Sequence, residues 1–243
     1  MWKASRVVVV VPAWNEAPRI ARVLRGLPDW VDSAIVVDDA STDGTGDVAS
    51  ALGDGRVEVV RHERNRGVGA AIASGYVRAA ALALGRRDAF VVMAGDGQMD
   101  PRDLQAVVEP IVADRADYVK GDRFRDPGLW GTMPVARAVG GLAFSRLTSL
   151  AIGVPVSDSQ CGYTAIAREA WASLDLGALW PGYGYPNDLL SRVALRGLRI
   201  AEVPVRAVYA DEVSRLRAWH VPLVAGIVAR AWVRRVFARQ PPT

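Results

Sequence analysis

The first half of the chain alternates short apolar runs rich in β-branched residues with longer amphipathic stretches. The runs at residues 6–11, 34–37, 56–61, 89–93 and 118–120 predict strands, and the stretches at 16–27, 44–52, 68–84 and 101–113 predict helices. Regular alternation of strand and helix implies right-handed crossovers and a mostly parallel sheet with flanking helices, an α/β fold whose ligands bind outside the carboxyl ends of the strands. Further along, Val135, Val139, Leu142, Ala143, Leu147, Leu150 and Ala151 recur at helical spacing, with Arg137 and Arg146 as the only charges in residues 135–152. Such a helix belongs either to the core or to an interface.

The strand at 89–93 runs straight into Ala94-Gly-Asp-Gly-Gln-Met-Asp-Pro101. Asp96 and the amide oxygen of Gln98 lie two residues apart, a spacing from which both can reach one hard cation whose remaining ligands are phosphate oxygens and water. Asp100 before Pro101 reads as a helix cap, which accounts for that residue and leaves Asp96 and Gln98 for chemistry. The other predicted strands end in similar turns: Val11-Pro-Ala-Trp-Asn-Glu16, Val37-Asp-Asp-Ala-Ser-Thr-Asp-Gly-Thr45 and His62-Glu-Arg-Asn-Arg-Gly-Val-Gly-Ala70. Any one of them is ordinary turn chemistry. Four together, all after strands and all rich in acceptors or bare amides, point to a shared nucleotide site.

Competing nucleotide folds are excluded by their fingerprints. The first turn is not G-x-G-x-x-G, and Gly67-Val-Gly69 is followed by Ile72 where the third glycine would stand. Neither a G-x-x-x-x-G-K-[S/T] phosphate loop nor a G-x-S-x-G nucleophile elbow occurs.

Composition narrows the class further. The 243 residues are 51% hydrophobic and 23% charged, the balance of a globular domain rather than a disordered chain. Cys161 alone makes no internal disulfide, and His62 and His220 are too few for a zinc cluster. The amino terminus has no signal-peptide cleavage pattern and reads as a first strand. Six arginines and no acid fall within residues 213–243, so the preceding part carries −2 of a total of +4. Residues 218–229 lack a full charge, yet twelve residues are short of the roughly 20 that a spanning helix needs. With tryptophans and arginines following, the tail predicts an amphipathic helix on an anionic membrane surface. The alternative is a carboxyl-terminal helix packed on the sheet with its arginines facing water. The division expected is a domain at 1–217 and a basic amphipathic helix or tail at 218–243.

Pro12-Ala-Trp-Asn-Glu16, Asp38-Asp-Ala-Ser-Thr-Asp-Gly-Thr45, Asn65-Arg-Gly-Val-Gly-Ala70, Gly95-Asp-Gly-Gln98, Gly121-Asp-Arg123 and Asp158-Ser-Gln-Cys-Gly-Tyr163 occur in an order that resembles the family 2 inverting glycosyltransferases of the GT-A fold, most closely those that load sugars onto dolichol and polyprenol phosphates. The resemblance implies a nucleoside-diphosphate sugar donor (UDP or GDP) and Mg²⁺ or Mn²⁺ held by Asp96 and Gln98. It implies donor contacts at Pro12, Asn15, Glu16, Asp39, Asn65, Gly67 and Gly69, with Asp39 accepting a hydrogen bond from the base. Arg123 and Arg137 match places that bind the acceptor phosphate. Asp158 matches an acid beside the reacting centre, and Asp188 stands where inverting relatives carry a general base; as a helix N-cap it reads equally well. Residues 209–217 resemble a donor-closing segment from which Arg215 or Arg217 reaches the diphosphate. The family usually has an Asp two positions before Asp96, and Ala94 stands there instead.

The function expected is transfer of a hexose to a polyprenyl phosphate, at the cytoplasmic face of the inner membrane as a peripheral protein, with no nucleic-acid partner. Two alternatives stay open: transfer to a sugar hydroxyl with Asp188 as base, and noncatalytic binding of a nucleotide sugar, motivated by Ala94.

Overall fold

The structure is a computed structural model that describes residues 2–129, 133, 135–206, 208 and 220–238. Strand β1 (Val7–Ala13) is buried along its whole length, which requires cover on both faces and explains why its sequence shows no polar alternation. It lies between β2 (Ser33–Asp38) and β4 (Ala89–Val92), both parallel to it, and β2 pairs in parallel with β3 (Val57–Arg61). The seven strands run in the order β3-β2-β1-β4-β6-β5-β7. All pairings are parallel except those of β6 (Thr164–Ala167), which runs antiparallel between β4 and β5 (Tyr118–Asp122). Strand β7 (Ile200–Pro204) closes the far edge. The chain thus reverses its winding direction at β1 and β4, and in such sheets the crevice for a ligand lies at the carboxyl ends of the strands flanking that point.

Helices α1 (Ala17–Arg25), α2 (Thr45–Ser50), α3 (Val68–Leu82) and α4 (Leu104–Val112) follow β1 to β4 as the periodicity predicts, shorter than the sequence reading at both ends, or for α3 at its carboxyl end alone. Asp100 caps the short 3-10 turn at Pro101–Asp103, its carboxylate accepting the Arg102 amide at 2.9 Å. The second half adds α5 (Val135–Ile152), α6 (Arg168–Ala172), α7 (Tyr185–Leu195) and α8 (His220–Ala238). The carboxyl-terminal helix α8 packs against α5 and α7 through Val224, Ile227, Val228 and Ala231, all buried. Gly184, at φ +97°, leaves room for Ile227, whose Cδ1 lies 2.5 Å from where a β-carbon would be. Arg235 donates to the Leu150 carbonyl at 2.9 Å, so a cation sits at the exposed carboxyl end of α5.

Helix α3 rests directly on β1 because its buried face, beside Ile72 and Tyr76, carries a glycine at the point of closest approach. A β-carbon at Gly75 would fall 2.2 Å from Val10 Cγ1 and 3.2 Å from Val37 Cγ2. Gly75→Ala gains about 0.5–1 kcal/mol of helix propensity but forces overpacking that costs about 1–3 kcal/mol against two stiff β-branched side chains. The expected outcome is a net loss of stability, read as a lower midpoint in urea with an unchanged slope.

Candidate active site

The loops after β1 and β2 are laced together by short polar side chains. Asn15, in the left-handed region at φ +55°, donates its amide to Ser41 Oγ at 2.9 Å and accepts the Thr42 amide on Oδ1 at 2.9 Å. The Glu16 amide donates to Thr45 Oγ1 at 2.8 Å, and the Ala17 amide to Asp43 Oδ2 at 3.0 Å. Glu16 is buried and pairs with Arg19 at 3.0 Å. The Pro12 carbonyl accepts the Gly95 amide at 3.0 Å, so the first loop also touches the turn that carries Asp96.

Asp39 is buried and holds the third loop. Its Oδ1 accepts the Arg66 amide at 2.9 Å and is hydrogen-bonded to His62 Nδ1 at 2.7 Å, while Oδ2 accepts the Gly67 amide at 2.7 Å. His62 Nε2 in turn meets Ser74 Oγ of α3 at 3.0 Å, and Asn65 is exposed on the loop between. Gly67 (φ +90°) and Gly69 do permit a close backbone approach, but the backbone that approaches is the chain's own. Pro181 O lies 2.5 Å from a β-carbon position on Gly67, and Trp180 O lies 2.0 Å from one on Gly69. The Pro181 carbonyl accepts the Gly69 amide at 2.7 Å and the Ala70 amide at 3.3 Å, which occupies donors at the amino end of α3.

The turn after β4 places Asp96 and Gln98, both partly exposed, around Gly97 at φ +77°. Asp96 Oδ1 accepts the Gln98 amide at 3.0 Å, and the Gln98 carbonyl accepts the Val208 amide at 3.1 Å. Arg206, two residues earlier, is fixed by its amide and guanidinium on Asp103. Among the described residues no group of three His, Cys, Asp or Glu side chains gathers to hold a metal alone. One carboxylate and one amide oxygen fit a hard divalent cation that completes its shell from phosphate and water.

Arg123 and Asp158 form one unit. The Asp158 carboxylate, fully buried, receives Arg123 Nε at 2.7 Å and Nη2 at 3.0 Å, with the Gln160 and Cys161 amides on Oδ1. Burial alone would raise its pKa; the Arg123 guanidinium outweighs that and holds it below the usual carboxylate range. The guanidinium fork expected for an acceptor phosphate therefore has two of its donors on a carboxylate. Arg137 lies on α5 with its side chain outside the described residues, as are Arg215, Arg217 and the whole of residues 209–217.

Asp188 is not the helix cap, a position taken by Gly184; it sits in the first turn of α7 and is buried. Its Oδ2 accepts the Trp180 amide and Arg192 Nε, each at 3.0 Å, and its Oδ1 accepts Arg234 Nη1 of α8 at 2.8 Å. Both of its oxygens are thus engaged within the fold, by two guanidinium groups and a backbone amide.

Two residues near the site carried no signal in the sequence. Tyr185 is buried between two of the loops: its Cβ is 3.0 Å from a β-carbon position on Gly69, and its hydroxyl 2.8 Å from one on Gly162. Burial, together with negative neighbours that include Asp96, pushes its phenol well above the ordinary range. Lys120, on β5, is wholly buried with Nζ donating to the Cys161 carbonyl, and burial pulls its pKa down. A lysine inside an apolar strand is indistinguishable from a solvated one until the strand's neighbours are known.

Glycosyl transferase family 2, compared as a family model, matches residues 8–173, and the chain belongs to that family. It is 31% identical to the UDP-N-acetylglucosamine–dolichyl-phosphate N-acetylglucosaminyltransferase of Methanococcus voltae, over 84% of this chain and 86% of that protein. It is 34% identical to the undecaprenyl-phosphate mannosyltransferase of Micrococcus luteus, over 82% of each. Among solved structures, glucosyl-3-phosphoglycerate synthase of Mycobacterium tuberculosis in complex with Mn²⁺, UDP and phosphoglyceric acid has the same fold, with a TM-score of 0.69 at 24% identity over 99% of this chain and 81% of that one. The GT-A architecture expected from the motifs is thus the one observed.

Removing one partner of a buried ion pair leaves the other uncompensated, so Asp158→Asn should cost about 3 kcal/mol at pH 7, the low end because Arg123 keeps some contact with solvent. Since the folded pKa of Asp158 lies below its ordinary 3.8, that stabilisation is complete above the ordinary value and is lost as pH falls through the folded one. Urea unfolding from pH 7 to pH 2 should show the gap between wild type and variant closing only below about pH 4.

Proposed function

We propose that this glycosyltransferase moves a hexose, with inversion, from UDP- or GDP-sugar to a polyprenyl phosphate. The observation that carries the reading is the meeting of four strand-end loops at the crevice beside β1 and β4, with Asp96 and Gln98 at its rim. The loops after β1 to β3 grip the nucleoside, Asp39 offering its remaining lone pairs to the base while fixing the loop that surrounds it. Asp96 and Gln98 would hold Mg²⁺ or Mn²⁺, whose charge would offset that of the leaving diphosphate. An oxygen of the acceptor phosphate forms the new bond to the anomeric carbon as the bond to the nucleoside diphosphate breaks. That oxygen is already ionised, so no general base is required, in keeping with an Asp188 engaged by two arginines. The relatives named for dolichyl and undecaprenyl phosphate support a lipid phosphate as acceptor.

A lipid acceptor places the enzyme at a membrane. Among the described residues no helix is long and apolar enough to cross one. Helices α5 and α8 instead leave Leu147, Leu150 and Trp232 exposed along an apolar groove of about 350 Å³, with Val236 and Phe237 exposed further along α8. Neither helix carries an acid, which suits an anionic surface at the cytoplasmic side of the inner membrane.

The test is turnover of a panel of UDP- and GDP-sugars with Mg²⁺ and with Mn²⁺, with and without a short-chain polyprenyl phosphate. Release of nucleotide that depends on the lipid, for one donor, is the expected result; release indifferent to the lipid would return the acceptor to a hydroxyl or to water. Asp96→Ala should lower that turnover by about 10²-fold or more with the melting temperature unchanged.

Replacing Trp232 and Phe237 together by serine should weaken binding to phosphatidylglycerol vesicles roughly tenfold or more, at unchanged stability. Equal sedimentation of variant and wild type with the vesicles would overturn the membrane reading.

A further inference from the structure

Asp188 lies at the head of a chain of contacts that ends at the glycines of the donor loop. Its Oδ1 takes Arg234 from α8, and its Oδ2 takes both Arg192 and the Trp180 amide. Arg192 straps the same connection by donating to the carbonyls of Asp175 and Ala178. The segment from Asp175 to Pro181 is therefore fastened to α7 at several points, all through Asp188 or its partner. One residue beyond Trp180, the Pro181 carbonyl accepts the Gly69 amide at 2.7 Å. The carbonyls of Trp180 and Pro181 fill the space over Gly69 and Gly67, and Gly67 is held from the other side by Asp39. Tyr185, opening α7, separates Gly69 from Gly162. Arg234 reaches Asp188 from a helix 46 residues later in the chain.

We propose that Asp188 and Arg234 are positioning residues for the donor: their ion pair sets, through Trp180 and Pro181, where the Gly67–Ala70 loop stands. The carboxylate thus acts on the reaction through the loop it holds and takes no proton. This rests on the reading that these loops hold a nucleoside diphosphate. The carboxyl-terminal helix, the one with the exposed Trp232 and Phe237, becomes part of the donor site's support.

Arg234 is the residue to change, because its removal leaves Asp188 paired with Arg192 and the Trp180 amide rather than orphaned. Arg234→Met should raise the KM for the nucleotide sugar about five- to tenfold while kcat stays within about twofold and the KM for the lipid phosphate is unmoved. Arg234→Lys, which keeps the charge, should recover most of the donor KM. Amide hydrogen exchange supplies a readout independent of turnover: Gly69 and Ala70 should exchange about tenfold faster in Arg234→Met, with the amides of β1 unchanged. Unchanged exchange at Gly69 and Ala70 overturns the coupling. Faster exchange there with an unaltered donor KM, or a common fall in kcat, both KM values and melting temperature, overturns the positioning role. If wild type turns over no UDP- or GDP-sugar, the function proposed above falls, and exchange at Gly69 and Ala70 still decides the coupling.

Discussion

The Pro181 carbonyl sits 2.7 Å from the Gly69 amide, over a stretch of α3 where no β-carbon fits. That one approach joins the two halves of the molecule at its working end. On one side stand β1, β2 and β3 with their loops; on the other stands the connection into α7, fastened by Asp188. A β-carbon at residue 67 or 69 would fall 2.5 or 2.0 Å from a backbone carbonyl oxygen, inside contact distance, so the glycines are required by the fold before any ligand is considered. Asp39 completes the arrangement from beneath, since its two oxygens hold the amides of Arg66 and Gly67 and the ring of His62.

Buried charge in this protein follows one rule with three outcomes. Asp158 is buried and satisfied by a guanidinium fork and backbone amides, so it stays ionised. Asp122 is buried beside Glu202 and Asp158, and desolvation, aided by those like charges, raises its pKa. Lys120 has the same burial with a carbonyl as its partner, and its pKa falls. Desolvation is opposed by opposite charge in the first case and reinforced by like charge in the second. The cluster lies where β5, β7 and the 157–161 turn meet, next to the crevice, and gives the site a rigid charged wall.

The carboxyl-terminal helix shows how one element can serve two surfaces. Its inner face supplies Val224, Ile227, Val228 and Ala231 to the packing on α5 and α7, and Arg234 and Arg235 turn inward to Asp188 and the Leu150 carbonyl. The two arginines that composition alone assigns to water or to lipid headgroups are structural. What remains outward is largely apolar, Val221, Trp232, Val233, Val236 and Phe237, with Arg230 among them. An amphipathic helix need not divide into an apolar buried side and a charged exposed one.

The sequence by itself determined the alternation of strands and helices, the mostly parallel sheet, the placing of four polar turns at strand ends, and the cap at Asp100. These follow from short-range physics: side-chain period, turn chemistry and the fixed φ of proline act within a few residues. It did not reveal β6, four residues of which two are alanine, or β7, an edge strand interrupted by Glu202 and ended by Pro204. Nor did it reveal that β6 runs antiparallel between β4 and β5. The partners of the candidate residues were equally hidden. Arg123 meets Asp158 across 35 positions and Arg234 meets Asp188 across 46, and no local pattern carries such a pairing. A motif names which oxygens and guanidinium groups are available, but the path of the chain decides whether each is turned to a ligand or to another side chain. Asp188 could be read from sequence as a base or a cap; Arg192 stands one helical turn away, but only the tertiary structure brought Arg234 to it.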